Sequence, residues 1–313
     1  MRVIVLNGIL FRLAIGLSLV LYHLPGVQVA DAVPAIAEKN VSILLQPPPL
    51  ITLTPSGVIT PLAGHELSGI VKSRKHPDIY WLVNDSGNPP NLIPVNAKGA
   101  VLSGSPAGIP IDKALNIDWE DLAIDSSGLI YICDTGNNWS IRSDLAVYLV
   151  RESEGPELLL PGIEKIRIRY PEQKMLLPLQ LSYDCEAVFV FRDRLYLLTK
   201  RLSDGSTSLY RMDARNPAKI NDLTILDTFP LNGYVTAADM SPDQEKLAVL
   251  TYEALWIFSG FKADNFFRGK ATKILLNRGG QIEAMCFSDN STVMIVNENE
   301  NQIFTIPLAP YGF

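Results

Sequence analysis

The chain has 313 residues, enough for one large β or α/β domain or for about two smaller ones, and 47% of the residues are hydrophobic. Together with only 19% charged residues, this composition excludes a disordered chain. The 27 basic and 33 acidic residues give a net charge of -6, without the basic excess of a protein that wraps nucleic acid.

Residues 1–32 have the pattern of a secretory signal peptide. Positive charge precedes an uncharged apolar run over residues 13–22, and Ala30 and Ala32 occupy the positions three and one before the expected cut. That run is about half of the roughly 20 residues that a membrane-spanning helix needs, so an uncleaved anchor is the alternative. We expect cleavage after Ala32 and a periplasmic or extracellular protein with no stable membrane span.

Residues 33–49 are rich in proline and alanine, which predicts an extended segment ahead of a folded domain at 50–313. Beyond it, short runs of Val, Ile, Leu and Tyr alternate with turn clusters such as Asp125-Ser-Ser-Gly128. No stretch after residue 32 sustains a helical period. The sequence therefore predicts an all-β domain whose first strand covers residues 50–54.

Five repeats follow, and each opens on an acidic residue in a small apolar strand. Their starts lie 54, 66, 53 and 44 residues apart. The starting residues are Glu66, Glu120, Glu186, Asp239 and Glu283. A tight turn and a second strand come next, and most repeats continue with a third and a fourth strand. Four short antiparallel strands recurring at this spacing are typical of a propeller blade.

We therefore predict a single β-propeller of five four-stranded blades. A β-sandwich is the alternative, but it does not explain the repeated acidic starts. A sixth blade would require a degenerate repeat within residues 141–183, inside the longest interval. The last repeat lacks a fourth strand, and the N-terminal strand near residues 50–60 would complete it and close the ring.

A propeller turns the first strand of every blade toward a central channel, so the acidic starts should point into one cavity. A second polar position follows each second strand, and the hairpin returns it to the same end of the channel. Its members are Asp85, Asp134, Lys200, Glu253 or its neighbour Tyr252, and Asn297-Glu298. The sequence thus predicts a ring of carboxylates at one channel mouth, with one cation, Lys200, beside Arg201.

Carboxylates crowded at a concave mouth repel one another unless they are solvated, protonated or bridged by a cation. Oxygen ligands without His or Cys favour calcium, or magnesium, over a transition metal. We predict calcium as the cofactor. The predicted metal ligands are Asp85, Glu120, Asp134, Glu186 and Glu283. The alternative for each single acid is a structural hydrogen bond to turn or strand backbone.

Asp184 and Glu186 lie two residues apart, so on one strand they face the same side and could serve as an acid and base pair or bind metal. With Lys200 they are the candidate catalytic residues. The candidate ligand-binding residues are Glu66, Arg201, Asp239 and Glu253. The chain has no Gly-x-Ser-x-Gly motif, so any hydrolysis would depend on the carboxylate pair or on a metal-activated water.

Cys133, Cys185 and Cys286 each lie in an apolar, strand-like run. Their odd number and wide separation specify no disulfide pair. We interpret them as buried free thiols that pack as small hydrophobic side chains. Because no Cys/His spacing typical of zinc occurs, no zinc site is expected.

Several motifs occur in order along the repeats. They are Glu66-Leu-Ser-Gly69, Asn84-Asp-Ser-Gly-Asn88, Asp118-Trp-Glu-Asp-Leu-Ala123, Asp134-Thr-Gly-Asn-Asn138, Asp184-Cys-Glu-Ala187, Thr199-Lys-Arg201 and Val235-Thr-Ala-Ala-Asp-Met-Ser-Pro-Asp243. Together they resemble a bacterial family of secreted or lipid-anchored β-propellers related to the phytase-like domain, over about residues 65–300. The resemblance implies a propeller fold and an envelope or extracellular location. Propeller phytases, similar at the level of the fold, use calcium ions and basic side chains to bind phosphorylated substrate.

We therefore predict an exported propeller whose acidic mouth binds calcium and a small, glycan-like or phosphorylated ligand. In its catalytic form this hypothesis makes the protein a metal-assisted hydrolase, phytase-like or esterase-like. The alternative is a non-catalytic propeller that mediates protein–protein interaction in the cell envelope. No nucleic-acid partner is expected, and the sequence specifies no oligomeric state.

Overall fold

The structure is a computed structural model that describes residues 47–61, 65–155, 157–174 and 181–313. The predicted signal peptide and all but the end of the proline-rich segment lie outside these residues. Within them, no helix has the length and hydropathy to cross a membrane. The helical elements found there are two short 3-10 turns, Phe266–Arg268 and Ala309–Tyr311.

The described strands form five antiparallel blades, here given from the channel outward. Blade one contains β3 (Leu67–Lys72), β4 (Tyr80–Asn84), β5 (Asn91–Val95) and β6 (Ile109–Pro110). Blade two contains β7 (Trp119–Ile124), β8 (Leu129–Asp134), β9 (Ala146–Arg151) and β10 (Glu164–Arg169). Blade three contains β11 (Asp184–Phe191), β12 (Arg194–Lys200), β13 (Thr207–Met212) and β14 (Asn221–Phe229).

Blades four and five each recruit a strand from the N-terminal part of the domain. Blade four contains β15 (Val235–Met240), β16 (Lys246–Thr251), β17 (Ala254–Ser259) and β18 (Lys270–Asn277), with β1 (Leu50–Thr52) added in parallel at its outer edge. Blade five contains β19 (Ile282–Asp289), β20 (Thr292–Asn297), β21 (Gln302–Pro307) and β2 (Gly57–Val58). The inner strands β3, β7, β11, β15 and β19 contact one another in turn, and β19 contacts β3 to close the ring.

The predicted five-bladed propeller is therefore confirmed, and so is its closure by an N-terminal strand. The closing strand is β2, in which Gly57 pairs with Ile303 and Val58 with Gln302. The strand predicted at residues 50–54 instead covers the edge of blade four. The described part of residues 141–183 supplies the outer strands β9 and β10 of blade two, so it forms no sixth blade.

Each inner strand carries a β-bulge near its start, which shifts its register against the second strand of the blade. The bulged residues are Ser68, Glu120, Glu186, Thr236 and Glu283. The expectation that Glu66 and Asp239 share this position is wrong, because Glu66 precedes the bulge of blade one and Asp239 follows that of blade four. The structurally repeated position is acidic in three blades and a small hydroxyl residue in two.

The core lies between the blades, as five clusters of buried side chains that each join two neighbouring blades. Cys133 and Cys185 belong to the cluster between blades two and three, and Cys286 to the cluster between blades five and one. All three thiols are free and buried, which confirms their predicted role as small hydrophobic side chains.

Candidate functional site

Carboxylates gather at the end of the channel where the inner strands begin and the second strands end. We call this set of side chains the acidic mouth. Its members are Glu66, Asp85, Asp118, Glu120, Asp134, Asp184, Glu186, Glu283 and Glu298. The bulges contribute to this arrangement, because an extra residue in a strand re-aims the side chain it carries.

Two groups of three carboxylates share Glu120. In the first triad, oxygens of Asp85, Asp118 and Glu120 lie within 4.8 Å of one another. In the second triad, the same limit holds for oxygens of Glu120, Asp184 and Glu186. Oxygens at this spacing can contact a single ion, because calcium binds its oxygen ligands at about 2.3–2.6 Å.

Burial and mutual repulsion disfavour the charged form of these acids. Burial, and then the charges of Glu186 and Asp85, raise the pKa of Glu120 well above its ordinary value. Burial also raises the pKa of Asp85 to about 7, against the hydrogen bond from the Ser86 backbone N–H. Without a cation, these carboxyls therefore hold their protons to a higher pH than carboxyls in water do.

Asp184 has one oxygen bonded to the backbone, and its carboxyl faces that of Glu186. Its side chain is 1% exposed, and Oδ1 accepts a hydrogen bond from the Asn137 backbone N–H at 2.5 Å. The Asp184 and Glu186 carboxyls lie within hydrogen-bond reach of each other, and no other group in the described part of the chain contacts the buried Oδ2. Two buried carboxyls in contact must share a proton or a cation to avoid repulsion.

Asp134 lies behind the first triad and is held by a cation. Its Oδ1 accepts hydrogen bonds from Arg142 Nη2 at 2.9 Å and from the Asp118 backbone N–H at 3.1 Å. Arg142 also contacts Asp144 at 3.0 Å. The guanidinium group thus pairs with two acids at the edge of the mouth and balances one of their two charges, and burial nevertheless raises the pKa of Asp134.

Residues 135–142, the loop that follows β8, are fixed against both triads. A Cβ atom on Gly136 would clash with Glu120 Oε1 and Asp118 Oδ2, so only glycine leaves room for these carboxylates. One residue further on, Asn137 bonds to Asp184. The hydroxyl of Ser140 accepts hydrogen bonds from the backbone N–H groups of residues 182 and 183, both at 3.2 Å.

Lys200 is the cation within the mouth. Its Nζ lies 3.0 Å from Glu186 Oε1 and 5.7 Å from the centre of the Tyr252 ring. Tyr252 donates its hydroxyl hydrogen to Glu283 Oε1 at 2.8 Å. Burial opposes the charge of Lys200, but Glu186 and the neighbouring acids outweigh it and raise the pKa of the lysine. Burial and Asp184 raise the pKa of Glu186 despite this ion pair.

Glu66 and Glu298 complete the mouth near its rim. Burial, and then the charges of Glu283 and Glu66, raise the pKa of Glu298 to about 7. The side chain of Glu66 is 44% exposed, and its Oε2 lies 3.1 Å from His65 Nδ1. This exposed pair places a titratable imidazole at the edge of the carboxylate cluster.

The structure brings together most of the residues predicted from the sequence. At this mouth it places Glu66, Asp85, Glu120, Asp134, Asp184, Glu186, Lys200 and Glu283. Their individual roles as ligands or catalysts stay predictions. Glu253 is exposed, and the predicted alternative at that position, its neighbour Tyr252, provides the contact to the mouth.

Two predicted ligand-binding residues form hydrogen bonds or ion pairs outside the acidic mouth. Asp239 points into the other end of the channel, where its two oxygens accept backbone hydrogen bonds from Met240 and Phe287, each at 2.8 Å. It lies there beside Arg74 in a cavity of about 220 Å³. Arg201 pairs with Asp204 at 2.8 Å, so its charge is already used next to the mouth.

The sequence prediction did not include Asp118 or Arg142 among the site residues. A signal for Asp118 does exist, because Asp118-Trp-Glu120 in blade two repeats the spacing of Asp184-Cys-Glu186 in blade three. Arg142 carries no such signal, since it reaches Asp134 only through the path of the loop after β8.

No family model matches this chain, and no curated protein matches it in sequence. Among solved structures, the PQQ-bound aldose sugar dehydrogenase of Streptomyces coelicolor is 10% identical, with a TM-score of 0.44 over 82% of this chain and 97% of that chain. A functionally unknown protein from Desulfotomaculum acetoxidans is 14% identical, with a TM-score of 0.39 over 79% of this chain and 70% of that one. A Bacteroides thetaiotaomicron protein of unknown function is 8% identical, with a TM-score of 0.41 over 82% and 74%.

Because their TM-scores are below 0.5, these similarities do not assign the fold. The strand pairing itself establishes the fold. The chain is a five-bladed β-propeller with a cluster of acids that can hold a metal ion at one end of its channel. The resemblance to phytase-like propellers stays a prediction.

Proposed function

We propose that this chain is an exported propeller whose acidic mouth binds calcium and presents the bound ion to a small, oxygen-rich ligand. The observation that carries the proposal is the second triad. Glu120, Asp184 and Glu186 gather their oxygens within 4.8 Å, and among the described residues the buried Oδ2 of Asp184 has no partner apart from the neighbouring Glu186 carboxyl. A calcium ion bound there would satisfy this oxygen and offset the repulsion among the three carboxylates.

The donor set fits a hard cation. Lys200 contacts Oε1 of Glu186, and the Asn137 N–H donates to Oδ1 of Asp184, so each carboxylate is oriented by one oxygen. The two carboxyls also face each other, and the ion would replace that contact. Calcium takes six to eight oxygen ligands in flexible geometry. Three carboxylates would leave several of these positions to water or to a bound ligand.

Thermal melting with and without calcium tests the proposal. Calcium should raise the melting temperature of the wild type, and Glu120→Gln should abolish the rise, because Glu120 belongs to both triads. In EDTA, Glu120→Gln should melt at least as high as the wild type, since it removes a repelling charge without changing the shape of the side chain. This second measurement separates loss of the ion site from loss of the fold.

Glu253→Gln is the matched control, because this acid is exposed close to the mouth and belongs to neither triad. It should keep the full calcium response. Absence of a calcium-induced rise in the wild type, or an undiminished rise in Glu120→Gln, would refute the proposed ion site.

Metal-assisted hydrolysis is the second candidate function. It is favoured by the adjacent carboxyls of Asp184 and Glu186, with Lys200 Nζ 3.0 Å from the latter. A bound divalent cation would supply Lewis acidity toward an ester, phosphoester or glycosidic oxygen. The residues of this chain would orient that substrate, with Lys200 stabilising negative charge beside the carboxyl pair.

A screen of phosphoesters, esters and glycosides, each with calcium and with EDTA, tests this second function. Hydrolysis that requires calcium and is lost in Asp184→Asn would establish it. Calcium binding without hydrolysis of any compound would leave a non-catalytic binding propeller, which is the alternative that the sequence leaves open.

A further inference from the structure

Trp139 is an exposed aromatic side chain on the loop that covers both triads. It is 58% exposed, whereas Trp81 and Trp119 are fully buried in the core. Tryptophan combines a large apolar surface with a polar N–H group, and for this reason it is enriched where proteins contact ligands and partners. Its position therefore matters for what the mouth binds.

The loop holds the backbone of Trp139 close to the second triad. Gly136 packs against Glu120, and Asn137 bonds to Asp184. Only Asn138 separates Asn137 from Trp139, so the Cα atoms of Asn137 and Trp139 are at most about 8 Å apart. On the other side of Trp139, Ser140 is buried and accepts two backbone hydrogen bonds. Anchors on both sides fix the backbone that carries the indole ring.

Other large apolar side chains are exposed around the same mouth. They belong to loops at the mouth end of the channel, each of which either precedes the inner strand of a blade or follows its second strand. They are Leu115, Ile117, Ile141, Leu202 and Tyr234. The loop that leads into β7 contacts the loop that carries Trp139. The Gly136 N–H there donates a hydrogen bond to the Asp118 carbonyl at 3.1 Å. The acidic mouth is thus flanked by an apolar rim.

The charges of the mouth argue against a polyanionic ligand. Lys200 is paired with Glu186, Arg142 with Asp134 and Asp144, and Arg201 with Asp204. In the described part of the chain, each of these cations close to the mouth is therefore already neutralised. A phosphate or sulfate group would find no unpaired basic side chain among them, and the carboxylates that remain beyond these pairs and the proposed ion would repel it.

We propose that the ligand is a neutral polyhydroxylated ring, either a sugar or a cyclitol. Its C–H face packs on the indole of Trp139, and neighbouring hydroxyl groups complete the coordination of the ion at the second triad. Such a ring combines an apolar face with oxygen ligands of the kind that calcium accepts. This inference rests on the proposed calcium site and names the ligand class that this site takes.

Titration of the full chain with neutral rings tests the inference. The probes are methyl α-mannopyranoside, galactose and myo-inositol, with glucose 6-phosphate compared against glucose. Binding is measured by calorimetry and by the intrinsic tryptophan fluorescence, with calcium and with EDTA, and the Trp139→Phe variant identifies the contribution of Trp139 to the fluorescence change. At least one neutral ring should bind in calcium and not in EDTA, and glucose 6-phosphate should not bind more tightly than glucose. Preference among the probes separates a sugar from a cyclitol.

Variants of the rim make the test specific. Trp139→Ala should weaken binding about tenfold, whereas Trp139→Phe, which keeps an aromatic face, should stay within about threefold of the wild type. Both should keep the calcium-induced rise in melting temperature. Leu160→Ala, at an exposed apolar residue on the opposite side of the propeller, should bind like the wild type.

The outcomes separate the two proposals. If calcium stabilises the wild type but no neutral ring binds, or if Trp139→Ala binds as well as the wild type, the ligand class is wrong and the ion site stands. Tighter binding of glucose 6-phosphate than of glucose also overturns the ligand class. If calcium has no effect on melting, the ion site fails and the ligand inference fails with it.

Discussion

The backbone N–H of Asn137 donates to Oδ1 of Asp184 at 2.5 Å, joining the loop after β8 in blade two to the first residue of β11 in blade three. The bond orients Asp184, whose carboxyl also faces that of Glu186 and whose other oxygen has no further partner in the described part of the chain. Residues 135–142 therefore contact acids of both triads. The candidate site is therefore a property of the interface between two blades.

Gly136→Ala should remove calcium binding. The added Cβ atom would meet Glu120 Oε1 and Asp118 Oδ2, so both carboxylates must move away from their triads. We expect the calcium-induced rise in melting temperature to disappear. Gly104→Ala is the matched control, because a Cβ atom there meets no atom within 4 Å, and it should respond to calcium like the wild type. An intact calcium response in Gly136→Ala would contradict the placement of the ion.

Stability without calcium should fall as the pH rises from about 4 to about 8. The pKa values of Asp85 and Glu298 are raised to about 7, chiefly by burial. Since the same carboxyls titrate near pH 4 in the unfolded chain, the folded protein binds more protons across this window. The free energy of unfolding therefore decreases as these protons are lost.

Melting temperatures in EDTA and in calcium at successive pH values measure this effect. Calcium binds the deprotonated carboxylates, so the stabilisation that it gives should grow over the same window in which the metal-free protein weakens. Asp85→Asn, which resembles the protonated acid, should flatten the dependence in EDTA. A metal-free protein whose stability stays level or increases from pH 5 to pH 8 would show that folding does not raise the pKa values of these acids.

Glu152→Gln should lower the free energy of unfolding by about 2 kcal/mol, as expected when buried donors lose their acceptor. Glu152 is 2% exposed and accepts hydrogen bonds from Trp81 Nε1 at 2.7 Å, from the Ser73 hydroxyl, and from the backbone N–H groups of residues 74 and 75. A glutamine has one acceptor oxygen, so some of these donors must lose their partner. Urea unfolding measures the change.

Glu154→Gln provides the comparison for this experiment. Glu154 is an exposed acid whose carboxylate pairs with Lys75 at 2.9 Å, and solvent and salt screen an exposed ion pair of this kind. Its loss should hardly change the urea midpoint. Equal effects of the two substitutions would mean that the buried hydrogen bonds of Glu152 do not stabilise the fold.

The three thiols should be unreactive in the folded protein. Burial raises the pKa values of Cys133, Cys185 and Cys286, that of Cys185 to about 12, so little thiolate is present at neutral pH. A thiol reagent should modify none of them in buffer and all three in denaturant without a reductant. Fewer than three reactive thiols in denaturant would reveal a disulfide.

The number of blades could be predicted from the sequence because each blade is a local unit of strands and turns. The site was partly predictable for the same reason. Asp134 and Lys200 follow Glu120 and Glu186 at the same interval of fourteen residues, which reflects one hairpin geometry. In each blade whose first two strands form a hairpin of this length, the residue fourteen positions after the acidic start lies at the channel mouth.

The remaining features depend on contacts that no local pattern encodes. Glu66 and Asp239 resembled the other acidic starts, but the bulges fall on Ser68 and Thr236, because strand register is decided by pairing with the second strand. Similarly, Gly57–Val58 is too short to stand out as a strand. It becomes one only because the free edge of β21 lies beside it.

That edge pairing has a consequence for how the protein matures. Ser56 donates its hydroxyl hydrogen to the carbonyl of Ile303, a residue 247 positions away, at the point where β2 joins β21. A contact of such sequence separation forms late, after the blades between have assembled. A chain that emerges N-terminus first, whether from a ribosome or through a membrane, leaves blade five incomplete until residues near 303 arrive. Any arrest before that point would expose an open sheet edge, and with it a route to aggregation.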